Sequence, residues 1–308
     1  MALTAAGWLL CLIAGFALQR RVRRPDRLSH LLFLVTYWGT VPLVVFFAYT
    51  TVRVEFTLFA SMLAVIASSW LVLGLGFLWG RAAGRGDPQR GSLTLGVALG
   101  NTSIVGYPLA VLAFGPGGLA LAVVYSEFQF LIPALAVAVG VARRFAGPDA
   151  YGSPAPGVRA LMRTWAVNPP VVAGLVAVAL RAGGVDLRDT VAPLGPAVGL
   201  AIGLFGFVQI GLATPLDRMA HRAGDLSRAG FTLVLRCAVA PLVLYLVSRA
   251  AGLQVPGVFL LLAATPVAFH TMVLARVYAL DLPLQRLLIV ASTPLVVGAV
   301  LAWNAFLR

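Results

Sequence analysis

Asn101, Thr102 and Ser103 stand side by side between Gly100 and Gly106-Tyr107-Pro108, in the middle of an apolar run from Ser92 to Phe114. A second apolar run, Val255–Leu280, carries Ala264-Thr265-Pro266-Val267-Ala268-Phe269-His270 near its middle. Short amides and hydroxyls beside glycine and proline suit one kind of chemistry: hydrogen bonding to a small polar ligand where a helix is interrupted. Proline has no N–H and frees a carbonyl one turn back. A broken helix also exposes the N-terminus of its second half, which carries roughly half a positive charge and unpaired N–H groups, a natural seat for an anion. The substrate-binding candidates are Asn101, Thr102, Ser103, Gly106, Pro108, Thr265, Pro266 and His270. Two ordinary proline kinks would leave the same residues, since Pro and Gly are common in membrane helices.

The elements that must position these residues are membrane helices. The chain has 308 residues, 60% hydrophobic and 11% charged, with a mean hydropathy of +0.96. Soluble domains carry roughly 25% charged residues. The apolar segments run to ~17–25 residues, the length of helical spans rather than barrel strands. Freed backbone groups at membrane depth cost several kcal/mol unless a polar partner or cavity satisfies them, so two such breaks point to function. Paired interruptions in corresponding segments of two halves mark transporter binding sites.

Ten apolar segments can be drawn: 2–18, 29–49, 56–79, 92–114, 118–141, 166–182, 190–213, 229–248, 255–280 and 284–306. Residues 1–18 are read as a first span, not a signal peptide, because no basic region precedes them. All 23 basic residues are arginine, and the net charge is +13. Sixteen arginines fall in the connections after segments one, three, five, seven and nine, and five on the other side. The positive-inside rule then puts the sixteen in the cytoplasm and both termini outside. The arginines serve topology, so no nucleic-acid partner is expected. Residues 1–142 form a first five-helix repeat, 143–164 a cytoplasmic linker, and 165–308 a second repeat of opposite orientation. The interruptions occupy segments four and nine, the same place in each half. At 1.5 Å per residue both lie roughly 13–16 Å deep, near the midplane.

The residues of segment four resemble the Asn-Thr-Gly-Phe-x-Gly-x-Pro pattern of the auxin efflux carrier family. Here it reads Asn101-Thr102-Ser103-Ile104-Val105-Gly106-Tyr107-Pro108, followed by Phe114-Gly115 and Tyr125. Asn168-Pro169-Pro170 is similar to the opening of the family's sixth span, Arg236 and Pro241 to its eighth, and Pro42 to the proline of its second. Pro266-Val267-Ala268-Phe269-His270, then Ala275-Arg276-Val277-Tyr278-Ala279-Leu280-Asp281, resembles its ninth. Three positions depart: Ser103 replaces glycine, His270 a small amide, and Arg276 an acidic residue. The resemblance implies an all-α membrane fold of ten helices in two inverted repeats, with helices four and nine broken and crossing, and with a scaffold part and a mobile part. It implies secondary transport of a small organic anion across the cytoplasmic (inner) membrane, without a cofactor, by a homodimer in contact with lipid. Bile-acid sodium symporters share a similar architecture, so a sodium-coupled organic-anion symporter is the alternative. An anion channel is another, because broken helices also line pores.

Glu127 is the one carboxylate well inside a span, and an ionisable group there is a functional candidate. Glu127 and His270 are the coupling candidates, with Glu127 expected to carry a proton alongside the anion. The competing roles for Glu127 are pairing with freed backbone and holding sodium. Gln129 and Gln209 suit interhelical hydrogen bonding. Arg236 and Arg276 are expected to anchor by snorkelling to an interface. Asn168 is expected to cap segment six. His30 and His221 are set aside as interfacial or loop residues. Cys11 and Cys237 suggest neither disulfide nor metal site. An enzyme is not expected: the chain has no His-Glu-x-x-His motif and no pair of intramembrane aspartates.

Overall fold

The computed structural model describes residues 2–52, 56–129, 135–148, 150, 168–214 and 223–306. The described residues form helices α1 (Ala2–Arg21), α2 (Pro25–Val35), α3 (Val41–Thr51), α4 (Phe56–Ala83), α5 (Asp87–Ala98), α6 (Tyr107–Gln129) and α7 (Leu135–Arg144). They continue through α8 (Pro169–Ala182), α9 (Gly195–Ala213), α10 (Ala223–Val234), α11 (Ala240–Ala250), α12 (Gly257–Ala263), α13 (His270–Val277) and α14 (Leu282–Phe306). Among the described residues no strand occurs, only an isolated antiparallel bridge between Gly100 and Val267.

Among the described residues six helical stretches are long and apolar enough to cross a membrane, the third of them kinked at Gly115: Arg27–Thr51, Phe56–Ala83, Thr102–Gln129, Arg188–Ala213, Asp225–Ala250 and Leu282–Trp303. The protein is an all-helical, multi-pass membrane protein. Large apolar side chains such as Leu10, Trp38, Phe56, Leu78, Leu175 and Trp303 are exposed, the arrangement a lipid solvent selects. The other expected spans correspond to α1, the 14-residue α8, the two interrupted segments, and segment five, whose residues 130–134 lie outside the described residues. So do most of the expected linker 143–164, namely 149 and 151–164, together with Arg53, Arg218, His221 and Arg222.

Proline shapes these helices in a regular way. Among the described residues three five-residue π-turns occur, at Thr36–Thr40, Thr102–Gly106 and Leu235–Val239. Pro42, Pro108 and Pro241 each stand two residues beyond such a turn. The missing proline N–H and the clash of its ring with the preceding turn are relieved by widening the helix. Val41 N–H then reaches back five residues to Thr36 O, and Ala240 N–H to Leu235 O. Pro108 therefore widens segment four and does not open it; the opening lies earlier, at Leu99–Asn101. Gly115, at φ 71° and ψ −164°, with Pro116 after it, folds Thr102–Gln129 into two arms. That positive φ with ψ near 180° is accessible essentially to glycine alone.

The chain falls into two compact units, each drawn from both halves of the sequence. The first comprises Met1–Arg53, Ser103–Val124 and Ser153–Ala213; the second comprises Val54–Thr102, Tyr125–Gly152 and Thr214–Arg308. In the first unit α1 lies backbone to backbone against α9. A Cβ on Gly15 would fall 2.4 Å from Val208 O, and one on Gly211 would fall 2.3 Å from Leu12 O. Small residues permit this approach where lipid provides no hydrophobic drive between helices. Gln19 Nε2 donates to Gly211 O at 2.5 Å and Leu212 O at 3.0 Å, and Trp8 stacks on Phe207 at 6.0 Å.

In the second unit α4 packs on α5 through Gly76, Gly80 and Gly84, whose added Cβ atoms would meet Thr94 or Arg90. Trp79 Nε1 donates to Thr232 Oγ1 at 2.9 Å, tying α4 to α10. Gln285 Nε2 donates to Ser92 O (2.7 Å), and Thr271 Oγ1 donates to Gln285 Oε1 (2.9 Å), joining α14, α5 and α13. Asp281 Oδ1 accepts Leu284 N–H at 3.0 Å and caps α14, a structural role for that end of the Ala275…Tyr278…Asp281 pattern.

Candidate functional site

The site is built where two helices stop short. α5 ends at Ala98, and Leu99 turns extended at φ −108°, ψ 116°. α12 ends at Ala263, and regular helix resumes only at His270. The two gaps pair with each other. Asn101 N–H donates to Pro266 O at 2.7 Å, and Ala268 N–H donates to Leu99 O at 2.9 Å. Val267 N–H donates to Ser292 Oγ of α14 at 3.1 Å. Each contact satisfies a main-chain group that would otherwise cost several kcal/mol at membrane depth.

The remaining carbonyls converge on Arg236. Its Nε donates to Thr265 O at 3.0 Å, and its Nη1 to Val97 O at 3.3 Å and Ala98 O at 3.4 Å; its Nη2 donates to Ala263 O. One guanidinium thus caps the C-terminal ends of α5 and α12, both of which carry partial negative charge. Arg236 is 1% exposed, so the expected snorkelling is wrong for it, while Arg276 is exposed. Snorkelling fails here because two helix ends offer carbonyls nearby. Arg236 sits inside the π-turn Leu235–Val239 that Pro241 imposes, so the spacing Arg236…Pro241 was the available signal. Gly100 lets the guanidinium lie close to the chain: a Cβ there would stand 2.5 Å from Thr265 Oγ1 and 2.7 Å from Arg236 Nη2.

Of the expected site residues, Asn101, Thr265 and Pro266 come together in this junction. Asn101, Thr102, Gly106, Pro108, Thr265 and Pro266 are buried, and Ser103 and His270 are half-buried. Thr265, in the gap, turns its hydroxyl back onto Leu262 O of α12 at 2.7 Å. His270 opens α13. Ser103, Gly106 and Pro108 belong to the first compact unit, and Asn101, Thr102, Thr265, Pro266 and His270 to the second.

Asn168 stands at the N-terminus of α8, but its side chain makes no capping hydrogen bond, contrary to expectation. The fixed φ of Pro169 and Pro170 starts that helix instead. Gln209 is fully buried with no hydrogen-bond partner for either amide atom among the described residues; the glutamine bonding α1 to α9 is Gln19.

Beside the junction lies a small cavity of about 10 Å³, room for roughly one water molecule. Ser68, Ser69, Tyr125, Gln129 and Arg236 supply its polar wall, and Val72, Ala98, Ala240 and Ala263 complete it. Tyr125 and Gln129, four residues apart, share one face of α6. Glu127, half-buried, falls between them in sequence and so on the opposite face, and it does not line the cavity. Among the described residues Glu127 makes no ion pair or hydrogen bond, and no three of His, Cys, Asp and Glu gather as a metal set. Compared with known proteins, the chain matches no family model and no curated protein.

Proposed function

We propose that this protein is a secondary transporter of the auxin efflux carrier type, moving a small organic anion across the cytoplasmic membrane by alternating access. The observation that carries the reading is the pairing of the two helix gaps, Asn101 with Pro266 and Leu99 with Ala268. Irregular backbone deep in a membrane protein is otherwise hard to explain. The gaps also have an electrical polarity. Arg236 takes the negative ends, at Ala98 and Ala263, and leaves the positive ends, starting at Thr102 and His270, to an anion from outside the protein. Asn101 and Thr102 would bond the carboxylate, with Thr265, Pro266 and His270 of the same compact unit shaping the site. Glu127 would carry an accompanying proton. The composition of the two compact units also supports the reading. The first takes segments one, two, six and seven and the second three and eight, matching positions in the two halves; four and five are divided between the units, and nine and ten lie in the second.

Uptake into proteoliposomes of a panel of labelled carboxylates, under imposed proton or sodium gradients, tests this. Saturable uptake of at least one acid, driven by a pH gradient and lost in Asn101→Ala at unchanged folded yield, is expected. Glu127→Gln should keep exchange of labelled for unlabelled acid and lose acceleration by the pH gradient. Uptake driven by sodium alone would favour the symporter alternative. Currents that do not saturate, without counterflow, would favour a channel.

A further inference from the structure

The cavity beside Arg236 has an unusual balance of hydrogen-bonding groups. The guanidinium has five N–H donors, and its four bonds to Val97, Ala98, Ala263 and Thr265 leave one over. The Tyr125 hydroxyl and the Gln129 amide line the same space, and neither makes a hydrogen bond among the described residues. Tyr125 is 2% exposed and Gln129 8%. Polar groups in so closed a place are seldom left unpaired, and an acceptor held in the cavity would serve them. Ser68 and Ser69 donate their hydroxyl hydrogens to Val65 O, at 2.9 and 2.8 Å, so their oxygens face the cavity as neutral acceptors only. Among the described residues no carboxylate lines the cavity, and the ion pairs there, Arg90–Asp87 and Arg228–Asp225, do not involve Arg236.

We propose that this cavity is a binding site for a small monovalent anion held by Arg236, Tyr125 and Gln129. An anion would accept from the guanidinium, the phenol and the amide NH2 together, and would set a negative charge against the buried cation. The volume limits the occupant to a monatomic ion such as chloride, or to the oxygen of a small carboxylate. The site lies behind the joined gaps, against the C-terminal ends of α5 and α12, and does not depend on the transport reading. Its anion would complete the neutralisation of a buried cation that the two helix ends begin.

The test is thermal unfolding of the purified protein in detergent, with sodium chloride replaced by sodium gluconate at constant ionic strength. Chloride should raise the melting temperature saturably, as ligand binding to the folded state requires. Tyr125→Phe and Gln129→Met each remove donors and keep the packing. Each should raise the half-saturating chloride concentration about tenfold, the effect of one lost hydrogen bond to a charged group. Sodium formate separates the two sources: if formate stabilises with the same dependence on Tyr125 and competes with chloride, the site takes a carboxylate, and if only halides act, it takes chloride. Either result supports the proposal. Equal stability in chloride, formate and gluconate, or an anion effect unchanged in both variants, overturns it and leaves a water-filled cavity. The readout is binding alone, so absence of transport in proteoliposomes would remove the transporter reading and leave this proposal standing.

Discussion

The π-turn Thr36–Thr40 precedes Pro42 as the π-turn Leu235–Val239 precedes Pro241: both are five residues long, and both prolines follow by two. The first, Thr-Tyr-Trp-Gly-Thr, carries no charged side chain. Thr40 Oγ1 donates to Thr36 O at 3.0 Å, and a Cβ on Gly39 would meet nothing within 4 Å. The second carries Arg236, whose guanidinium reaches four carbonyls on two other helices. Proline chemistry makes the widened turn in both places; in the second, the arginine placed in the turn adds bonds to the ends of two other helices. The same contrast separates the widened helices from the open gaps. Widening is a local remedy, and a gap needs partners distant in sequence.

Arg236→Met should break the comparison most severely. It leaves four buried carbonyls short of donors, at about 1–3 kcal/mol each where no water replaces them. The melting temperature in detergent should fall on the order of 10 °C, while Thr40→Val in the first turn should barely move it. Glycine substitution sharpens the same contrast. Gly100→Ala forces a Cβ against Thr265 and the guanidinium and should destabilise by about 1–3 kcal/mol. Gly39→Ala meets no neighbour and should stabilise by up to about 1 kcal/mol, because alanine is the better helix former. Unfolding curves of the two variants check the opposite signs. The smallest effect is expected from the prolines themselves. Pro241→Ala lets the helix tighten and swings Arg236 by up to about 100°, losing one or two carbonyl bonds worth about 1–3 kcal/mol. Pro42→Ala should change stability by less than about 1 kcal/mol, since no buried guanidinium is carried by its turn. Equal losses in the two proline variants would show that the turns are used alike.

Much of this was legible in residue types. Gly100-Asn101 and Thr265-Pro266 stand out against apolar runs, and both helices do stop there. The positions of Pro42, Pro108 and Pro241 foretell widened helices, although Pro108 reads in sequence as the cause of the gap and is not. What sequence does not carry is pairing over long separations. Nothing in Asn101 announces Pro266 O as its N–H acceptor. An arginine near a helix end reads as a snorkelling residue until two other helices are seen to end beside it. Asn168 has the type and place of a cap, yet its side chain makes no capping bond. The two compact units interleave the halves of the chain because packing follows contact in space, which periodicity along one helix does not encode.

Hydrogen–deuterium exchange of the gap peptides tests most directly whether Arg236 holds the two interrupted helices as one structure. Peptides covering Leu99–Thr102 and Thr265–Phe269 should exchange slowly in the wild-type protein, despite lying outside regular helix, because their N–H groups are bonded across the gap. In Arg236→Met both should exchange faster, with Thr36–Thr40 unchanged. Fast exchange in the wild type, or the same protection in the variant, would contradict it.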